Sequence, residues 1–84
     1  MSEPAIHISN LAGVNDNRVC YWKDGDVWLL YLPKCGVGNL SNHHVEEHED
    51  GTISVTPSIL LTGHNEGNPT QRHGYLTHGV WNES

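Results

Sequence analysis

Histidine is the residue type most able to do chemistry in this chain, since seven of the 84 residues are histidine. Neutral imidazole binds zinc and other transition metals, and imidazole also gains and loses a proton near neutral pH. The chain has two cysteines, which is too few for a zinc site built of thiolates alone. A zinc site in this chain would therefore combine cysteine with histidine.

One candidate set of metal ligands is spread along the chain. Cys35 lies in a Gly-rich segment, His64 in a polar segment, and His73 at the start of the last predicted hairpin. A Cys-Gly-x-Gly turn can present a thiolate to a metal, and loops bring distant ligands together. Zinc is the cofactor that this set predicts. One buried thiol with two surface histidines explains the same residues, and the spacing favours that alternative.

A second candidate set lies in the dense polar segment 43–50. On a helix, His44 and His48 would be one turn apart and could share a metal, but Val45 occupies the position of the glutamate in a His-Glu-x-x-His motif. The segment ends in an Asp-Gly turn, which favours a strand with His44, Glu46 and His48 on one face. A charged edge strand is the favoured alternative to a metal site here.

Charge and motifs exclude several classes of function. Ten acidic residues against four basic ones give a net charge of −6, which opposes binding to nucleic-acid phosphates. No Gly-x-Ser-x-Gly motif surrounds any serine. No apolar run is long enough to cross a bilayer, and the N-terminus lacks a secretion signal. We therefore expect no nucleic-acid partner, no membrane partner and a cytoplasmic location.

Turn signals predict the fold class. Nine glycines and four prolines oppose long helices, and Asp-Gly or His-Gly pairs separate β-rich runs at three places. We predict an all-β domain, a small antiparallel meander or a two-layer sandwich or barrel, over residues 1–84. Residues 18–81 form its core, and residues 1–17 are loosely ordered or give an edge strand at 6–9. The three predicted hairpin turns are Asp24-Gly25, Asp50-Gly51 and His78-Gly79.

The first hairpin, residues 18–32, is apolar on both faces. Pairing Lys23 with Asp26 places five side chains on each face: Cys20, Trp22, Val27, Leu29 and Tyr31 on one, and Val19, Tyr21, Trp28, Leu30 and Leu32 on the other. Both faces therefore need cover from a second sheet, a barrel wall or another subunit. In this register Cys35 lies about 20 Å from the position facing Cys20, so we expect no disulfide.

Two segments further along are predicted to be irregular. Pro57 lacks an amide hydrogen and should end the strand that begins after Gly51. Residues 62–72 are polar and contain glycine and proline, so they should form the longest exposed loop.

Two stretches resemble a known family. Residues 47–60 contain Asp-Gly-Thr and then Thr56-Pro57-Ser58-Ile59, and residues 73–81 run from His-Gly-Tyr-Leu to Val-Trp. Together they are similar to a family of small bacterial and phage proteins catalogued as a domain of unknown function (DUF6527-like). The resemblance implies a phage or mobile-element origin and, from the family's Cys-rich knuckle, a zinc site. Here that knuckle is reduced to Cys35, and Arg72 occupies the position of a second cysteine before His73.

The sequence supports three functions. The first is a small non-enzymatic module that binds a protein partner, as a phage or mobile-element accessory protein or an inhibitor of a host factor. A homo-oligomer that buries one face of residues 18–32 fits its small core. The second is a zinc-dependent enzyme that uses His43–His48, His64 and His73, with a glutamate as base. The third is a virion component that assembles through exposed strands.

Overall fold

The computed structural model describes residues 2–84, and Met1 lies outside the described residues. These residues contain one 3-10 helix, Leu11–Gly13, and nine β-strands. The strands are β1 Ser2–Pro4, β2 Ile6–His7, β3 Cys20–Asp24, β4 Val27–Leu32, β5 Gly36–Asn39, β6 His44–Glu47, β7 Ile53–Asn65, β8 Asn68–Thr77 and β9 Val80–Glu83. The predicted all-β class is confirmed.

The strands form two sheets. The five-stranded sheet has the order β1-β9-β8-β7-β6, and the four-stranded sheet has the order β2-β3-β4-β5. All pairs of neighbouring strands are antiparallel except β2 and β3, which are parallel. One face of each sheet packs on the other, so the fold is a small two-layer sandwich without a closed barrel.

The core lies between the two sheets. The four-stranded sheet contributes the face of the first hairpin that was predicted to hold Val19, Tyr21, Trp28, Leu30 and Leu32, and all five are buried there. The five-stranded sheet opposes them with Ile53, Val55, Ile59, Leu76 and Trp81. The alternation of β-strand side chains therefore identified the inner face of this hairpin correctly.

The predicted register of the first hairpin is wrong. Asp24 pairs with Val27, and Tyr21 lies opposite Leu30, so the two-residue turn is Gly25-Asp26. Gly25 has φ +62°, which a residue without a side chain adopts at little cost. Relative to the prediction, each β3 residue meets a β4 residue two positions further on, and a shift of two leaves every side chain on its predicted face.

The predicted loop at 62–72 is also wrong. β7 and β8 stay paired as far as Asn65 opposite Asn68 and form one long hairpin. Its turn residues, Glu66 and Gly67, have φ +54° and +81°. Positive φ at both central residues matches the twist of paired strands, so a two-residue turn can close the hairpin.

Pro57 does not end its strand. β7 runs through the cis Thr56–Pro57 peptide bond, and its pairing with β8 is irregular between Val55 and Ile59. The strand tolerates proline because this irregular segment lies where ladder hydrogen bonds are interrupted.

The N-terminal segment joins the two sheets. β2 is the edge strand expected near residues 6–9, and β1 is an additional edge strand on the other sheet. Between them, the Ala5 amide donates to the Gly79 carbonyl at 2.8 Å. Both cysteines are free thiols, as expected.

An ion-pair cluster links the last strands to the first. The Arg72 guanidinium lies 2.6 Å from a Glu83 oxygen and 3.3 Å from Glu3, and Trp81 Nε1 donates to Glu83 at 2.7 Å. The hydrogen bond from Arg72 holds the pKa of Glu83 below its ordinary value of 4.5. Arg72 therefore connects β8, β9 and β1 through charge-assisted hydrogen bonds.

A substitution at Gly63 would show how tightly the β7–β8 hairpin packs against the loop after β4. A Cβ atom at this position would overlap the carbonyl group of Cys35. We expect Gly63→Ala to lower the free energy of unfolding by about 1–3 kcal/mol, measured by urea denaturation. The control is Thr62→Ala, an exposed neighbour that should change it by about 0.5 kcal/mol or less. Equal effects of the two substitutions would contradict this packing.

Glu83 should make stability depend on acid pH. Its pKa is lowered in the folded protein, so its contribution is present above pH 4.5 and is lost as the pH falls through the folded pKa. Glu83→Gln should therefore lower the urea midpoint at neutral pH, and the difference should shrink toward about pH 3. Glu49→Gln, at an exposed position, is the control. A difference that is constant with pH would show that the ion pair does not stabilise the fold.

Candidate functional site

A groove lies on the outer face of the four-stranded sheet, which is turned away from the core. Trp22 lies at its base and is only 3% exposed, and Leu29 is its cross-strand neighbour. Leu11 of the 3-10 helix and Val37 of β5 line its sides and are 61% and 47% exposed. The groove has a volume of about 400 Å³, and its polar rim consists of Ser9, Asn10, Lys23 and Asp24.

Residues 9–17 cover the rest of this face. The Asn10 side chain accepts a hydrogen bond from the Ala12 amide at 3.0 Å and so caps the 3-10 helix. The Tyr31 hydroxyl donates to the Asp16 carbonyl at 3.0 Å, which fixes the end of the segment on β4. The chain's own N-terminal part thus covers one half of the second apolar face, and the groove is the half that it leaves open.

The groove borders a free strand edge. β5 pairs with β4 on one side, and no described strand pairs with its other side. Its four residues, Gly36–Asn39, include neither a charged residue nor a proline. Val37 belongs both to this edge and to the wall of the groove, so an apolar surface and unpaired backbone groups adjoin.

The other three edges of the described sheets differ from β5. β6 carries His44, Glu46 and Glu47, and β1 carries Glu3 and Pro4. β2 is only two residues long. Charge, proline and short length are the usual means by which proteins keep an edge from pairing with another chain. Only β5, among the described edge strands, combines useful length with the absence of such protection.

Within the described residues, two unpaired carboxylates lie at this face, whereas the lysine on the rim of the groove, Lys23, pairs with Glu47 at 3.3 Å. Asp24 lies on that rim, and Asp16 lies beside Tyr31 on the same outer face. Neither aspartate forms an ion pair within residues 2–84. Burial and the neighbouring charge of Asp16 raise the pKa of Tyr31. The outer face is therefore suited to a positively charged ligand.

The first predicted ligand set is divided by the five-stranded sheet. Cys35 Sγ lies 3.5 Å from Thr70 Oγ1, on the side of β8 that faces the other sheet. His73 pairs with the exposed Leu60 on the opposite side, and His64 follows Gly63, so its side chain points away from Cys35. Within residues 2–84, no three His, Cys, Asp or Glu side chains lie close enough to hold one metal ion. Zinc binding at these residues stays a prediction.

Of the second predicted set, His44 and Glu46 lie on a strand, as favoured, and not on a helix, but His48 lies outside that strand. His44 is exposed and pairs with Thr56 in β6, whereas His48 follows the end of that strand. The His48 ring stacks on His78 with centroids 3.8 Å apart, and its Nε2 lies 2.8 Å from Ser54 Oγ. His48 therefore lies with His78 and Ser54, and it does not share one site with His44.

Ser54 connects two turns that are far apart in sequence. Its hydroxyl accepts a hydrogen bond from the His78 amide at 2.9 Å and can donate its own hydrogen to His48 Nε2. Glu46 lies 3.8 Å from the other ring nitrogen of His48. This cluster was not predicted, because only the pairing of β6, β7 and β8 brings its members together.

Ser58 forms a second serine–histidine contact. Its hydroxyl lies 2.9 Å from His73 Nε2, and its carbonyl lies 3.2 Å from His43 Nε2. No carboxylate contacts His73 within the described residues. The pair therefore lacks the third group that orients a catalytic imidazole, and it serves to link β7 with β8 and the segment before β6.

Comparison of the chain with protein-family models, with curated proteins and with solved structures gave no match in any of the three. The resemblance to the small bacterial and phage family therefore stays a prediction. Within residues 2–84, no helix has the length and hydropathy needed to cross a membrane.

Ser54 provides a test of the connection between the two turns. Ser54→Ala removes both hydroxyl contacts and should lower the free energy of unfolding by about 1 kcal/mol in urea denaturation. The amide of His78 should also exchange its hydrogen faster, because its acceptor is lost. Thr56→Ala, at an exposed position of the same strand, is the control. Unchanged stability together with unchanged exchange at His78 would contradict the connection.

Proposed function

We propose that this chain acts by binding another protein through the groove over Trp22 and the adjoining edge of β5. The observation that carries the proposal is the position of this groove: an apolar concavity lies directly beside an unprotected strand edge. Protein interfaces typically combine an apolar centre with a polar rim, and this surface has both.

The composition of the groove supports a protein ligand. Leu11, Val37 and the half-buried Leu29 offer apolar surface above the buried Trp22, and the residues on the rim can hydrogen-bond to a partner. Burying apolar surface contributes roughly 25 cal/mol per Å², so the two most exposed wall residues, Leu11 and Val37, should supply much of the gain. Both side chains line the same groove, so a partner that fills it would bury them together.

The sequence resemblance extends this proposal. The small bacterial and phage proteins that the chain resembles suggest an accessory protein of a phage or mobile element. The partner is then a host protein, such as a factor that the chain inhibits, and the two proteins meet in the host cytoplasm.

Site-specific photo-crosslinking tests the proposal. A photo-reactive amino acid at Leu11 in bacterial cells that produce the chain should crosslink to one defined protein. Adding Val37→Asp should reduce that product at least about tenfold, since it places a charge in the apolar wall. A photo-reactive residue at Leu60, which is 57% exposed on the other sheet, is the matched control and should not give the product.

Three outcomes would overturn the proposal. The first is the absence of any product from Leu11, and the second is equal products from Leu11 and Leu60. In the third, a product from Leu11 contains only two copies of this chain. That result would replace the protein partner with the predicted homo-oligomer.

A further inference from the structure

We propose that the partner binds by adding a strand: an extended, basic segment pairs with the free edge of β5 and places an apolar side chain in the groove. This inference rests on the proposed function, and it specifies the form and charge of the partner.

The hydrogen bonds of β5 show which backbone groups are free. The Leu40 amide donates to the Trp28 carbonyl at 2.9 Å, so these two residues form a hydrogen-bonded pair at the end of the ladder. In an antiparallel ladder such pairs alternate with non-hydrogen-bonded pairs. Gly38 and Gly36 therefore bond to β4, whereas the N–H and C=O groups of Val37 and Asn39 point to the open side.

This edge can form four backbone hydrogen bonds with an incoming strand. The added residues opposite Val37 and Asn39 would each exchange an N–H and a C=O bond with β5. Backbone pairing of this kind supplies affinity in many peptide complexes, while pockets for alternate side chains supply specificity. A segment of about five residues is long enough for this edge.

The incoming side chains would reach the groove. Trp22, Leu29 and Asn39 lie in one row across β3, β4 and β5. A residue added opposite Asn39 extends this row, and its side chain projects to the outer face like those of the row. The Asn39 side chain is turned back and accepts a hydrogen bond from the Ser41 amide at 2.6 Å, so it is already engaged within its own chain.

The negative charge of this face and of the whole chain favours a basic segment as the added strand. Asp16 and Asp24 flank this face without ion pairs in the described part of the chain, and the chain carries a net charge of −6. Lysine or arginine side chains beside the added strand would be attracted to both aspartates.

A second copy of the chain fits this edge less well. Two copies would each bring a charge of −6, and like charges oppose their approach. We therefore assign the edge to a segment of a different, basic protein.

Peptide binding to the whole protein tests the inference. The probe is a pool of fluorescein-labelled seven-residue peptides that alternate lysine with valine, isoleucine, leucine or phenylalanine, measured by fluorescence anisotropy. Two matched pools serve as comparisons: one replaces every lysine with glutamate, and the other carries N-methyl groups on alternate backbone amides. We expect binding by the lysine pool and at least a tenfold weaker affinity for each comparison pool.

Protein variants locate the binding. Val37→Lys adds a charge to the edge and should weaken binding of the lysine pool at least tenfold, whereas Leu60→Lys on the other sheet should leave it unchanged. Amide exchange gives a direct readout of strand addition. With the lysine pool bound, exchange should slow at Val37 and Asn39, while Gly38 should change little because its amide already bonds to β4.

The outcomes separate this inference from the proposed function. Failure of the lysine pool to bind overturns strand addition, and the proposed function survives if crosslinking from Leu11 still succeeds. Equal binding of the N-methylated pool, or no slowing at Val37 and Asn39, overturns strand addition while leaving a groove ligand. Equal binding of the glutamate pool overturns the basic character of the segment. Loss of both the crosslink and the peptide binding rejects both proposals.

Discussion

The packing of the β3–β4 hairpin on β7 and β8 is the interaction on which the rest of the structure depends. Leu30 and Leu32 are fully buried against residues such as Ile53 and Leu76 of the opposite sheet. A chain of this size buries only on the order of 60% of its unfolded surface, so it has material for one core and no more. Every other contact in the fold is arranged around that one layer.

The groove follows from this limit. β3 and β4 are apolar on both faces, but the five-stranded sheet can cover one face only. The second face must be covered by residues 9–17, which bury Cys20 and hold Tyr31 through the Asp16 carbonyl. This segment leaves part of the face uncovered, and Leu29 lies there between Leu11 and Val37 in the open groove. The candidate interface is thus the part of the second apolar face that the chain does not cover itself.

The fold could be predicted from the sequence where burial imposes a period of two. Both faces of the first hairpin were assigned correctly although its register was wrong, because the core selects a face and not a partner residue. The β7–β8 hairpin beyond the sandwich was missed, since residues 62–72 are largely exposed and polar and carry no such period. Gly63 and His64 show the same limit at the candidate metal site: neighbours in a strand face opposite ways, which spacing alone does not reveal. The groove could not be predicted from the sequence for another reason: Leu11 lies beside β3 only in the tertiary fold.

The edge strands add the last constraint on this surface. An unprotected edge is usually a liability, because copies of a protein can pair through it. Here the net charge of −6 offers a general protection that the sequence of β5 does not, since it repels further copies while leaving the edge open to a basic chain. β6 carries its own charges at Glu46 and Glu47, and these oppose pairing with another chain locally. Pairing between copies is therefore opposed at β6 by the charges of that strand and at β5 by the net charge of the whole chain. Only the second arrangement leaves the strand edge able to bind a partner.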